Sequence, residues 1–134
     1  MTLSCGIDVG TSSVKSALIR AEAGASEVLR LSIDRIRKRQ PLEVARSNFA
    51  ALLEEAETAR DEVDYVATTG DSDSDGVDWR DGHFYTMTSH ARGGLHLAPE
   101  ARCVLDVGAL HSRAIAIDEE ARVLDQRMTS QCAS

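Results

Sequence analysis

The chain contains one short pattern twice. Residues 5–10, Cys-Gly-Ile-Asp-Val-Gly, return at 103–108 as Cys-Val-Leu-Asp-Val-Gly, and a basic residue, Lys15 and then Arg113, follows each aspartate by seven positions. Repeats of stacked solenoid proteins recur about every 20–50 residues, far closer than these two copies. We therefore interpret the pattern as the duplication of a whole folding unit.

Each copy has the pattern of a hairpin that grips phosphate. A short apolar strand ends in an acidic residue and a glycine, a small turn follows, and a second strand alternates in character. Glycine lets backbone N–H groups come close to an anion, and a carboxylate at the strand end can hold Mg²⁺ or its water shell. Two such hairpins facing one another would clamp a nucleotide.

The hydrophobic periodicity predicts an α/β fold in which a three-strand antiparallel meander is made twice. In the first copy a helix follows the meander, and then a short strand, an acidic loop and a second helix. Pro41 opens the first helix, whose apolar residues recur at helical spacing and should cover one sheet face. The predicted strands are 3–8, 14–20, 27–37, 64–69, 102–107, 112–118 and 122–128, and the second predicted helix is 84–97.

Pro99 marks the expected boundary between two lobes. Residues 1–98 form the first predicted lobe, and residues 99–134 begin a second lobe that stops where its first helix should start. The chain is thus expected to be the N-terminal piece of a longer, two-lobed protein. Its last three strands would then leave an apolar face uncovered, for which poor solubility or a partner is expected.

Composition and charge exclude several classes of partner. The chain has 134 residues, of which 43% are hydrophobic and 28% charged, as in globular domains. A net charge of −7 argues against binding to nucleic acid or an anionic membrane, and the basic run at 35–39 is too short to reverse that. No stretch approaches the roughly 20 apolar residues of a membrane span, and no signal-peptide core precedes the first strand. Together with three widely separated cysteines, this predicts a cytoplasmic protein.

The first turn holds the groups that a triphosphate site needs, namely a carboxylate, a glycine, three hydroxyls and an ammonium group. An ordinary hairpin turn is the alternative. The second turn keeps the aspartate and glycine but has Ala109 and Leu110 in place of hydroxyls, so a degenerate structural copy is its alternative. The candidate residues are Asp8, Gly10, Thr11, Ser12, Ser13 and Lys15 in the first turn, and Asp106, Gly108 and His111 in the second.

Residues 7–15 resemble the first phosphate motif of the superfamily of actin, sugar kinases and heat-shock chaperones. Residues 81–94, 105–111 and 128–134 resemble one branch of it, which contains the activators of 2-hydroxyacyl-CoA dehydratases and the ATP-binding subunits of benzoyl-CoA reductases, the D subunits most of all. The resemblance spans nearly the whole chain. It implies an actin- and sugar-kinase-like (ribonuclease H-like) lobe with a mixed sheet, followed by the first strands of a second such lobe.

The resemblance also implies an ATP-binding, iron–sulfur subunit that couples ATP hydrolysis to low-potential electron transfer for reduction of an aromatic acyl-CoA. It implies ATP, Mg²⁺ and a 4Fe-4S cluster shared with a sister ATPase subunit. Ring-reducing subunits are the other implied partners, and reduced ferredoxin is the implied electron donor. Carried over residue by residue, Cys132 is a cluster ligand, Asp8 and Asp106 face Mg²⁺ and phosphate, and Gly10, Thr11 and Gly108 line the phosphate loops.

One departure separates the chain from the dehydratase activators. They carry Gly-Gln-Asp after the second Asp-x-Gly, where residues 109–111 of this chain are Ala-Leu-His. An activator is therefore the second hypothesis, and a catalytically inactive fragment or assembly module, favoured by the stop at Ser134, is the third. Because such a cluster takes four thiolates and the chain offers one candidate, we expect the chain alone neither to hold a complete cluster nor to turn over ATP.

Three further features have structural interpretations. Cys5 and Cys103 lie in apolar strands and are predicted to be buried. Residues 71–76 copy the opening of a calcium loop, but its twelfth position is Gly82 rather than glutamate, so a solvated acidic loop is predicted. His90 is predicted to be a partly exposed helical histidine, and coupling of the nucleotide lobe to the cluster interface is its alternative role.

Overall fold

A five-stranded mixed sheet forms the first part of the chain. The computed structural model describes residues 1–70, 76–108 and 111–130. The strands are β1 (Thr2–Val9), β2 (Ser13–Glu22), β3 (Ala25–Arg35), β4 (Tyr65–Thr69) and β5 (Gly82–His83). They lie in the order β3-β2-β1-β4-β5, with β1, β2 and β3 paired antiparallel and β4 joined in parallel to both β1 and β5. The predicted antiparallel meander is therefore confirmed, and β4 makes the sheet mixed.

Helix α1 (Pro41–Glu55) covers one face of this sheet. Pro41 stands in its first turn, where a missing N–H leaves no helical hydrogen bond unmade. Strand β1 sends Cys5, Ile7 and Val9 to this face, and each is at most 1% exposed. Because strand side chains alternate between faces, Asp8 projects from the opposite face, away from the core under α1.

A buried amide fixes where α1 lies on the strands. Asn48 is only 3% exposed. Its Oδ1 accepts a hydrogen bond from the Ser16 hydroxyl of β2 at 2.5 Å, and its Nδ2 donates to the Ser32 hydroxyl of β3 at 2.8 Å. A buried polar group that is satisfied from two strands at once disfavours sliding of the helix along either of them, because sliding would leave it unpaired.

A second, three-stranded antiparallel sheet follows. Its strands, in spatial order, are β6 (Cys103–Val107), β7 (His111–Ile117) and β8 (Val123–Ser130). Helix α2 (Thr86–Leu97) packs against one face of this sheet, and Ala91, Ile115 and Ile117 are buried there. In the tight turn between β7 and β8, the Asp118 carboxylate accepts hydrogen bonds from the N–H groups of Arg122 and Glu120. These bonds, that from Arg122 most of all, hold the pKa of Asp118 below its usual range.

The two sheets treat equivalent residues in opposite ways. Leu105 and Val107 occupy the positions in β6 that Ile7 and Val9 occupy in β1, yet they are 73% and 79% exposed. The expectation of an uncovered apolar face is thus confirmed for the described residues. The prediction that Cys103 is buried is wrong, because Cys103 lies on this same face and is exposed.

The chain divides into two compact units, Met1–Phe84 and Tyr85–Ser134. The helix predicted at residues 84–97 was assigned to the first lobe, whereas in the structure the corresponding helix, α2, packs against the strands of the second unit. The assignment of lobes to 1–98 and 99–134 stays a prediction. The sequence analysis also missed β5 and a short 3-10 helix at Arg60–Glu62. No helix in the described parts of the chain is long and apolar enough to cross a bilayer.

Gly94 lets α2 approach β6 closely, and this yields a matched pair of substitutions. A Cβ at Gly94 would overlap the side chain of Val104, whereas a Cβ at Gly93 would meet nothing within 4 Å. Gly94→Ala should therefore lower the free energy of unfolding by about 1–3 kcal/mol through overpacking. Gly93→Ala should raise it by about 0.5–1 kcal/mol, because alanine loses less entropy in a helix. Urea unfolding followed by circular dichroism measures both, and equal effects would contradict the close approach.

Candidate functional site

The first turn is closed by one backbone hydrogen bond. Gly10 N–H donates to the Ser13 carbonyl at 3.0 Å, and Thr11 and Ser12 form the exposed tip between them. A Cβ at Gly10 would lie 2.9 Å from that same carbonyl oxygen, so only glycine closes the turn without a shift. The result is a tight, hydroxyl-bearing tip at the end of β1 and β2.

The carboxylate and the ammonium group of this turn meet across the strands. Asp8 pairs with Lys15 in the register of β1 and β2, and Lys15 Nζ lies 3.4 Å from Asp8 Oδ2. The Lys15 side chain is 53% exposed and the Asp8 side chain 26%. An ion pair this accessible to water contributes little to stability. Both charges therefore remain available to a phosphate group and its metal ion.

Strand β4 adds a hydroxyl that the sequence analysis did not select. Thr69 pairs with Asp8 in the parallel register of β1 and β4. Its Oγ1 is buried and has no hydrogen-bond partner among the described residues. Gly70 follows with φ +122°, and a Cβ there would overlap the backbone of Val9. The signal available in the sequence was a short strand ending in Thr-Thr-Gly beside a predicted phosphate turn.

The second turn is closed by a backbone hydrogen bond like that of the first. Gly108 N–H donates to the His111 carbonyl at 3.0 Å, the counterpart of the bond between Gly10 and Ser13. Asp106 pairs with Arg113 across β6 and β7, as Asp8 pairs with Lys15. The side chains differ, because the Asp106 carboxylate lies 3.1 Å from His90 Nδ1 of α2. The two copies thus share the closing bond and the strand register, but their aspartates have different side-chain neighbours.

The structure places the predicted site residues in two groups. Each group lies at the turn where the sequence pattern put it. The first unit brings together Asp8, Gly10, Thr11, Ser12, Ser13 and Lys15, and the second unit brings together Asp106, Gly108 and His111. Ala109 and Leu110, the acidic loop at 71–75 and Cys132 lie outside the described residues.

The described residues contain no group of side chains that could hold a metal cluster. No group of three or more His, Cys, Asp or Glu side chains converges there. Cys5 lies beneath α1 in the first unit, and Cys103 is exposed in the second.

Comparisons with known proteins agree with this geometry. The model of the BadF/BadG/BcrA/BcrD ATPase family matches residues 5–134. The chain belongs to this ATPase family. The D subunit of benzoyl-CoA reductase from Thauera aromatica is 52% identical over 134 residues, covering 100% of this chain and 47% of that protein. The chain therefore spans about half the length of the curated relatives it matches.

Solved structures confirm the predicted actin-like fold of this ATPase-family chain. Component A of (R)-2-hydroxyglutaryl-CoA dehydratase from Acidaminococcus fermentans superposes with a TM-score of 0.87 at 19% identity, over 100% of this chain and 49% of that one. The activator of 2-hydroxyisocaproyl-CoA dehydratase from Clostridium difficile, solved with bound ADPNP, gives 0.84 at 20% identity, over 99% and 47%. At these identities the likeness concerns the fold.

The two described cysteines of this family member should differ sharply in reactivity. Burial raises the pKa of the Cys5 thiol to about 12, and the charge of Arg60 lowers it only in part. Cys5 therefore keeps its proton beneath α1, whereas Cys103 is exposed. Iodoacetamide should alkylate Cys103 in the native chain at least about a hundredfold faster than Cys5, because the thiolate is the nucleophile.

Peptide mapping by mass spectrometry measures the two rates separately. Denaturant should abolish the difference by exposing Cys5, and Cys103→Ser should remove the fast reaction without altering the slow one. Equal native rates at the two positions would contradict the burial of Cys5.

Proposed function

We propose that the protein carrying this chain binds Mg-ATP through the two turns and couples its hydrolysis to low-potential electron transfer. In this proposal the protein is a subunit of a benzoyl-CoA reductase-type complex that reduces an aromatic acyl-CoA. The observation that carries the proposal is the repeated turn, closed by the same Gly N–H bond beside an aspartate, in a chain 52% identical to a benzoyl-CoA reductase subunit.

The first turn supplies most of the proposed phosphate contacts. Lys15 neutralises phosphate charge with its exposed ammonium group, and the hydroxyls of Thr11 and Ser12 at the tip donate to phosphate oxygens. Asp8 accepts the metal ion or its bound water, as a carboxylate does for Mg²⁺. Thr69, beside Asp8 with its unpartnered hydroxyl, extends this polar edge among the described residues.

The second turn supplies a carboxylate and few other polar groups. Asp106 is the second proposed metal-facing residue, and its side chain is 17% exposed. Gly108 keeps the turn tight, and His111 begins the next strand, where its ring is the proposed phosphate donor. The proposed site is therefore asymmetric, with the cationic and hydroxyl groups concentrated at the first turn.

The electron-transfer part of the proposal depends on Cys132. We propose this thiolate as one ligand of a 4Fe-4S cluster that a sister ATPase subunit completes, because such clusters take four thiolates. The cluster would carry single electrons, received from reduced ferredoxin and passed toward ring-reducing subunits. A reducing cytoplasm is the proposed location, since free thiolates persist there.

A dehydratase activator is the second candidate. It is favoured by sequence similarity to the activators of lactoyl-CoA dehydratase and 2-hydroxyisocaproyl-CoA dehydratase, which align with 96% of this chain at 25% and 24% identity. Two observations favour the reductase instead, namely the 52% identity to a reductase subunit and the Ala-Leu-His sequence at 109–111 in place of Gly-Gln-Asp. Reduction of benzoyl-CoA by the assembled complex, without stimulation of a 2-hydroxyacyl-CoA dehydratase, would decide for the reductase.

Lys15→Met tests the phosphate role of the first turn. Removing a charge-assisted contact to phosphate should weaken Mg-ATP binding about tenfold to a hundredfold in the assembled complex, measured by isothermal titration calorimetry. The free energy of unfolding should change by less than about 0.5 kcal/mol, because the pair with Asp8 is exposed. Unchanged Mg-ATP affinity would favour the non-catalytic assembly module.

Arg20→Met is the matched control for this experiment. Arg20 lies on the same strand and forms a similarly exposed pair with Glu27 at 2.6 Å, but at the end of β2 remote from the turn. This variant should bind Mg-ATP with unchanged affinity. A comparable loss in both variants would trace the effect to net charge rather than to the turn.

Cys132→Ser tests the cluster ligand independently of ATP. The anaerobically purified complex should lose iron and the visible absorbance of the cluster, because serine does not replace a cluster thiolate. Cys103→Ser removes the exposed cysteine of β6 and should leave both readouts unchanged. Full iron content in an assembled Cys132→Ser complex would reject the assignment.

A further inference from the structure

The two turns are closed by the same Gly N–H bond, but different side chains lie next to their carboxylates. In the first turn Lys15, directly across the strands, lies 3.4 Å from the Asp8 carboxylate. In the second turn the register places Arg113 across from Asp106, but Arg113 Nη2 donates to Met128 Sδ at 3.6 Å. Arg113 Nε is buried and has no hydrogen-bond partner among the residues with described positions.

The group next to the Asp106 carboxylate comes from a helix instead. His90 Nδ1 lies 3.1 Å from Asp106 Oδ2. The histidine is 16 positions away in the chain, on α2, and no feature of the hairpin itself supplies it. In the second unit the neighbour of the aspartate is therefore an imidazole from a packed helix, rather than a lysine from the paired strand.

The packing of α2 on β6 explains how His90 reaches this carboxylate. Gly94 approaches Val104 so closely that a Cβ would overlap its side chain. His90 is one helical turn before Gly94, and Asp106 is two strand residues after Val104. Four helical residues and two strand residues each span about 6 Å, so the contacts of Gly94 with Val104 and of His90 with Asp106 can form along the same stretch of helix and strand.

The His90 Nδ1 atom is buried beside the Asp106 carboxylate, which indicates that the ring orients this carboxylate. His90 Nδ1 is buried, and its contact with Asp106 meets the distance of an ion pair but not the angle of a hydrogen bond. No other partner reaches it within the described parts of the chain. A buried ring nitrogen without a partner is unfavourable, and the Asp106 carboxylate lies within hydrogen-bonding distance of it.

We infer that His90 is a positioning residue for Asp106. Its Nδ1 N–H donates to one oxygen of the Asp106 carboxylate and leaves the other oxygen to a metal ion at the turn. This inference rests on the proposed function, in which Asp106 faces the Mg²⁺ of the nucleotide, and His90 itself does not touch the nucleotide.

The test compares three histidine variants in the assembled complex. Its readout is the Mg²⁺ concentration for half-maximal binding of a non-hydrolysable ATP analogue, measured by calorimetry. Loss of a residue that orients a metal-facing carboxylate typically costs 10–100-fold in metal affinity, so His90→Ala should raise this concentration about tenfold or more. His90→Asn places an amide N–H where Nδ1 was and should restore it to within about threefold of the unsubstituted complex. His96→Ala, an exposed histidine on the same helix, should leave it unchanged.

The outcomes separate this inference from the proposed function. If Asp106→Asn retains normal Mg²⁺ dependence, the assignment of Asp106 fails, and the role of His90 fails with it. If Asp106→Asn is impaired while His90→Ala is normal, only the inference about His90 is overturned. If His90→Asn is as impaired as His90→Ala and both melt at a lower temperature, the role is packing and the inference is again overturned. An Asp106→Asn/His90→Ala double variant no worse than Asp106→Asn would support it, because the two residues then act as one unit.

Discussion

The cross-strand register of the two hairpins is the constraint on which the rest of the structure depends. One backbone hydrogen bond, from a glycine N–H to the carbonyl three residues on, closes each turn between the paired strands that flank it. That pairing puts a basic residue opposite each aspartate and sends the apolar neighbours of the aspartate to the other face. A slip of one residue would exchange the two faces, burying Asp8 and exposing Ile7. Core and site are therefore two consequences of one register.

The two helices cover different faces of their sheets, and so they affect the two turns differently. In the first unit α1 covers the apolar face of the sheet, and Asn48 bonds this helix to two strands. The opposite face, which carries Asp8, therefore does not contact α1. In the second unit α2 lies on the face that includes Val104 and Asp106, and it contributes His90 to the turn. The apolar face that α1 would occupy by analogy carries the exposed Leu105 and Val107.

This difference gives the duplicated turns unequal chemistry. The first turn has an exposed ammonium group and hydroxyls, which suit the phosphates of a nucleotide. The second has a more buried carboxylate beside an imidazole, which suits the orientation of a metal ligand.

Much of this fold could be predicted from the sequence, because the patterns involved are local. Period-two apolar residues predicted both meanders to within a few residues, and Pro41 with its helical spacing predicted α1. The repeated Asp-x-Gly predicted both turns and the residues in them, since a tight turn is decided by its own glycine and its flanking strands. Strand β5 was missed because two residues are too few to show a period, and its place in the sheet depends on pairing with β4.

Other features required the tertiary structure. Cys5 and Cys103 stand in equivalent sequences, yet one is buried and the other exposed, because exposure depends on which face a helix covers. Thr69 joins Asp8 through parallel pairing of strands far apart in the chain. The contact between His90 and Asp106 depends on how closely α2 packs against β6. Gly94 permits this close packing, but a glycine in the sequence does not by itself predict it. The sequence by itself determined the duplicated turns and their acidic residues, whose geometry is local. Only the tertiary structure decided which partner each carboxylate meets, because those partners come from elements that long-range packing brings together.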